Sequence, residues 1–169
     1  IAIKNAVLVM RDYLIPDGVL LMEKGEISAY GEKGEVEIPK DSEVIDAEGL
    51  FVGPGFVDIH THSDGKVFFH EDPAAASRYH LKHGTTTVLP ALYFSMNAEK
   101  YKKAIRVIRQ AMENGEGSNI GGLYMEGPYL NPKFGCDKER NPWRGPIDQK
   151  DYGPIIEEAC QGVGSGAGA

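Results

Sequence analysis

The stretch Phe51-Val-Gly-Pro-Gly-Phe-Val-Asp-Ile-His-Thr-His62 constrains the rest of the chain more than any other. Its Gly-Pro-Gly turn interrupts a nearly continuous apolar run, which predicts a strand over 51–59 buried on both faces, as in a parallel sheet covered by helices. Side chains alternate along a strand, so His60 and His62 share a face, with Asp58 two residues earlier on that same face. Two imidazoles side by side at a strand end can simply be satisfied by hydrogen bonds. The chemistry that better accounts for both is a divalent metal, for which neutral imidazole is the commonest protein ligand. Zinc is the first expectation for nitrogen and oxygen donors, with iron, manganese or cobalt as alternatives and one or two ions as the count.

The residues before this stretch predict a small sheet. Strands are expected over Ile1–Val9, Val19–Met22, Ile27–Tyr30 and Glu43–Asp46, with turns at Pro16-Asp17-Gly18 and Glu23–Glu26. Such a sheet is too small to be stable by itself. After Leu50 the pattern changes to alternating strand and helix. Asp72 and Pro73 open a helix over Ala74–His83, and Gly84 ends it. A strand over Thr85–Pro90 follows, then a helix capped by Asn97 in which Tyr101, Ile105, Ile108 and Met112 recur at helical spacing. Ile120–Glu126 reads as a third strand, and Asp148 or Asp151 opens a third helix through Ile155, Ile156 and Ala159. This order predicts an α/β fold with βαβ units and a parallel sheet. His60, His62 and Glu126 all fall at the C-terminal ends of their strands, where a TIM (β/α)8 barrel gathers its catalytic groups. About three of the eight βα units are present, so the barrel is expected to be incomplete in this chain.

Glu126 follows Leu123-Tyr-Met125 and inherits the end of a buried strand. An unpaired carboxylate there costs several kcal/mol, roughly, and a cation is its natural partner. Composition narrows the field further. A net charge of −7 argues against a nucleic-acid partner, which needs clustered Lys and Arg. No apolar run approaches the roughly 20 residues of a membrane span, and no secretory signal is visible. Cys136 and Cys160 form no disulfide framework, which fits a cytoplasmic protein. The final Gly/Ala/Ser-rich residues, 161–169, read as a tail that forms no fold.

Three segments in order, Pro54–His62, His83-Gly-Thr-Thr-Thr-Val-Leu-Pro90 and Met125-Glu-Gly-Pro-Tyr-Leu-Asn131, resemble the amidohydrolase superfamily. The Glu-Gly-Pro motif makes the chain similar to the N-terminal portion of its N-acetylglucosamine-6-phosphate deacetylase branch. The resemblance implies residues 1–50 as part of a small β-sandwich and 51–160 as the N-terminal part of the barrel. It also implies His60, His62 and Glu126 as metal ligands, a metal-activated water, and a catalytic Asp on a later strand outside this chain. The substrate implied is a small molecule, an N-acetylated amino sugar phosphate; no membrane or nucleic-acid partner is expected, and a homodimer is left open. Two positions depart from the family pattern. Tyr124 stands where deacetylases carry His, and Gly135-Cys136-Asp137 stands where they carry Gly-Ala-His, whose His helps hold the sugar. Cys136 and Asp137 are therefore the expected substrate-side residues, and a carboxylate there would repel a nearby phosphate. Ser63-Asp64 is similar to the N-acyl-D-amino acid and dipeptide branches, so another amide is the alternative substrate, and a non-catalytic fragment the third reading. Arg140 and Arg144 form a cationic loop that could meet an anionic group, while His70, His80 and His83 read as structural or surface residues.

Overall fold

In the computed structural model, residues 1–131, 133 and 137–161 are described. Cys136 and residues 162–169 of the expected tail lie outside them. The backbone divides into two units, Ile1–Pro54 and a second from Gly55 onward.

The first unit is a sheet of β1 (Ala2–Val9), β2 (Leu14–Glu23), β3 (Glu26–Glu32), β4 (Val44–Asp46) and β5 (Phe51–Val52). β1 is its centre, antiparallel to β2 on one side and parallel to β4 and then β5 on the other. Ala6, Leu8, Ile15 and Ala47 form the core of this unit. Pro16-Asp17-Gly18, expected as a turn, is instead a bulge inside β2. Ala6 pairs with Gly18 and Leu8 with Ile15, so β2 spends one residue more than β1, with Asp17 at φ 48. Glycine is needed at 18 because a Cβ would lie 2.5 Å from Leu8 Cγ.

The second unit runs β6 (Phe56–Thr61), α1 (Pro73–Lys82), β7 (Thr85–Leu92), α2 (Ala98–Glu113), β8 (Tyr124–Met125) and α3 (Gln149–Cys160). Its strands are parallel in the order β6-β7-β8, the arrangement of consecutive βα units in a barrel. All three helix starts have local causes. Asp72 accepts from the Ala75 amide at 2.9 Å, Asn97 from Lys100 at 3.0 Å and Asp148 from Lys150 at 2.9 Å. Tyr101, Ile105 and Ile108 of α2 are fully buried against Val88 and Leu92 of β7, with Ile120 and Ile155 completing the core. Met112, expected on the same stripe, is instead exposed, and Ala104 and Ala111 take buried positions.

Two expectations about strands are corrected. The run 51–59 is divided: Phe51–Val52 join the first unit's sheet by pairing with β1, and β6 begins only at Phe56. Nor is β6 buried on both faces, since Phe56, Val57 and Ile59 are 61–70% exposed. Among the described residues β6 is an edge strand paired only with β7, so its apolar side chains lack the covering that a central strand receives. The strand expected over Ile120–Glu126 shrinks to Tyr124–Met125. Val88 bridges Ile120 and Ala91 pairs with Tyr124, so four steps on one chain face three on the other, and Gly121-Gly122 sit in the mismatch. Among the described residues no helix is long and apolar enough to cross a membrane.

Candidate metal centre

β6 and β8 flank β7, and their C-terminal ends bring His60, His62 and Glu126 together. The three potential ligand atoms lie within 4.8 Å of one another. Glu126 Oε1 is 3.2 Å from His60 Nε2 and 3.3 Å from His62 Nε2. Donors about 2.0–2.2 Å from a tetrahedral ion lie roughly 3.3 Å apart, which matches the separation of Glu126 Oε1 from each imidazole nitrogen.

The protons make the same point. His62 Nδ1 lies 2.9 Å from the Ala91 carbonyl, which can only accept, so Nδ1 carries the hydrogen. In the neutral ring Nε2 then presents a lone pair to a carboxylate oxygen 3.3 Å away. Two acceptors facing one another call for a positive charge between them. The other Glu126 oxygen is already used, accepting from the Phe94 amide at 3.2 Å, and the Glu126 amide donates to Leu92 O at 3.1 Å. One carboxylate oxygen is thus held by backbone while the other faces both imidazoles, an arrangement that could hold a divalent cation.

β7 contributes no ligand, yet it organises both neighbours: the Ala91 carbonyl orients His62, and the Phe94 amide orients Glu126. These supports have no signature in the sequence, because backbone groups at a strand end look alike whatever they hold. Tyr93 was missed for the same reason. Its ring lies flat on His62, with centroids 3.8 Å apart and planes 3° apart. Tyr124 tilts over His60 at 4.6 Å and 36°.

Nearby polar groups are committed elsewhere. Asp58 accepts from the His60 amide at 3.0 Å rather than joining the cluster. The backbone amides of Val67 and Lys66 hold the Asp64 carboxyl below its usual range and close the loop after β6. His80 Nε2 reaches the Ser63 carbonyl at 3.2 Å and His83 Nδ1 the Tyr79 carbonyl at 2.8 Å, so both are structural. His70 stacks on Phe68, and burial lowers its pKa. Asp137 is exposed, accepts from the Glu139 amide at 2.9 Å and lies 3.6 Å from Arg140. Arg144 is directed to the carbonyls of Asn141 and Glu139. The Trp143 indole donates to Met96 O at 2.9 Å and ties this loop to the core.

No family model matches the chain. Over 107 residues it is 29% identical to an N-acetylglucosamine-6-phosphate deacetylase of Caenorhabditis elegans, an alignment covering 57% of this chain and 25% of that protein. The crystal structure of N-acetylglucosamine-6-phosphate deacetylase from Pasteurella multocida superposes with a TM-score of 0.72 at 26% identity, over 94% of this chain and 42% of that one. A shorter stretch of 59 residues is 46% identical to a dihydroorotase of Bacillus licheniformis, covering 30% of this chain and 14% of that protein. The chain therefore spans well under half the length of the proteins it matches. The chain is thus similar in sequence and fold to amidohydrolases of the deacetylase type, and the parallel order β6-β7-β8 is that of consecutive βα units in a barrel.

Proposed function

We propose that this chain is the N-terminal part of a metal-dependent amidohydrolase that cleaves the N-acetyl amide of an amino sugar phosphate, a small-molecule substrate, in the cytoplasm. The observation that carries the reading is the convergence of His60 Nε2 and His62 Nε2 on a single Glu126 oxygen. Zinc is the ion these donors favour, with iron, manganese and cobalt as alternatives. When bound, such a cation supplies Lewis acidity and a water nucleophile of lowered pKa. The chain's own residues do the positioning. Ala91 O sets the tautomer of His62, and the Phe94 amide aims the free oxygen of Glu126 at both rings. In this reading a general acid comes from an Asp outside these residues, and Cys136 and Asp137 are assigned to substrate binding. The first unit is taken as part of a small β-sandwich and residues 161–169 as a tail that forms no fold.

Asp137 and the dihydroorotase-like stretch favour one other reading, hydrolysis of a different amide such as an N-acyl-D-amino acid or a cyclic amide. The test, made on the full-length protein of which this chain is the proposed part, is metal content followed by acetate release from N-acetylglucosamine with and without its 6-phosphate, beside a panel of N-acyl amino acids and cyclic amides. Bound zinc with turnover of the phosphorylated sugar supports the proposal. Bound zinc with turnover of another amide selects the second reading. Zinc-loaded protein inert on the whole panel sinks both.

A further inference from the structure

The two histidines are held very differently, and the difference singles out Tyr93. His60 is the looser of the pair. Its side chain is 43% exposed, and Tyr124 meets it only at a tilt of 36°. His62 is constrained in two independent directions. The bond from Nδ1 to Ala91 O fixes where the ring points within its own plane, and the flat contact with Tyr93 fixes the plane itself. Together they determine the direction of the Nε2 lone pair.

Tyr93 can do this because it is itself braced. Its carbonyl accepts from the Tyr101 hydroxyl at 2.8 Å and from the Met96 amide at 3.1 Å. Tyr101 is fully buried, so that anchor is rigid. Phe68 meets the Tyr93 ring edge-on, with centroids 5.6 Å apart and planes at 81°. An edge-on contact of this kind is a favoured aromatic geometry. The chain of support therefore runs from the core through Tyr101 to Tyr93, and from Tyr93 to His62.

We propose that Tyr93 is a positioning residue for the metal centre: its flat ring pre-orients His62 as the preformed ligand, leaving His60 as the ligand that adjusts. The proposal rests on the reading of His62 as a metal ligand. It assigns the effect to the ring face and not to the hydroxyl, so Tyr93→Phe keeps the device. Tyr93→Leu keeps apolar bulk against the core but removes the plane.

The experiment measures zinc affinity of the purified protein by chelator competition, and the visible spectrum of the cobalt-substituted form. Far-UV circular dichroism confirms that each variant is folded. Tyr93→Phe should bind zinc within about twofold of the unsubstituted protein, and Tyr93→Leu roughly tenfold more weakly, the scale of lost support behind a ligand. The cobalt ligand-field bands should be unchanged in the Phe variant and shifted in the Leu variant, a readout that a merely structural role would not move. If the unsubstituted protein binds neither zinc nor cobalt, the metal reading fails and takes this proposal with it. If it binds both, and the Leu variant matches it in affinity and spectrum, this proposal alone fails. Equal losses in the Phe and Leu variants would also overturn it, by moving the effect to the hydroxyl.

Discussion

Glu126→Gln separates the two demands on the metal centre, because it preserves shape and removes charge. A glutamine amide oxygen can keep the bond from the Phe94 amide, which places its NH2 where Oε1 was, 3.2 and 3.3 Å from the two Nε2 atoms. The contact with His62, between facing acceptors, then becomes a hydrogen bond contributing about 0.5–1.5 kcal/mol, and the His60 contact stays a hydrogen bond with its direction reversed through the other tautomer. The metal-free variant should thus be at least as stable as the parent, and up to about 1.5 kcal/mol more stable. The same exchange removes the only anionic donor of the cluster. Zinc at a hundred times its Kd adds about 2.7 kcal/mol to the parent, and that increment should vanish in the variant. Urea unfolding at pH 8, where ordinary imidazoles are neutral, measures both quantities, once with chelator and once with zinc. The reasoning is refuted if the variant is less stable than the parent by more than about 1 kcal/mol in chelator, or gains as much from zinc.

Tyr101→Phe should cost about 1 kcal/mol, against roughly 3–5 for truncation to Ala, because Tyr93 O still accepts from the Met96 amide; urea unfolding in chelator checks this. Asn119→Ala should cost about 2–3 kcal/mol by the same assay, since the 4%-exposed amide serves both Ser77 and Thr85 O and leaves a buried hydroxyl behind. Arg109 and Arg106 hold the Glu158 carboxyl below its ordinary 4.5, so the folded-state pKa lies under the unfolded one. That stabilisation is complete above about pH 4.5 and fades as the pH falls through the lowered value, so Glu158→Gln should flatten the acid side of a stability–pH curve measured by thermal unfolding.

Whatever depends on near neighbours could be read from the residues. The caps Asp72, Asn97 and Asp148 need only a side-chain oxygen and an amide two or three residues on. The buried face of α2 follows from period 3.6, although Met112 shows that the stripe's end depends on what packs there. His60 and His62 share a face because strands alternate, and the order of strands and helices places Glu126 at the same end of the sheet. The clustering of these three potential ligands was therefore legible before any coordinate.

Tertiary structure decided everything that depends on pairing between distant segments. The apolar run from Phe51 looks continuous, yet its first two residues pair with β1 and the strand from Phe56 with β7, a division made by strand partners and not by composition. The exposure of Phe56, Val57 and Ile59 follows from position at a sheet edge, which no local pattern encodes. The supports of the metal centre belong to the same class. Ala91 O, the Phe94 amide and the face of Tyr93 meet their histidine and carboxylate across 29–32 residues of chain, through backbone groups and a ring that carry no signature of their own. Residue types and their period determined which potential ligands exist and at which strand ends; only the packed sheet determined the direction in which each one points, because a lone pair is aimed by what lies beside it in space.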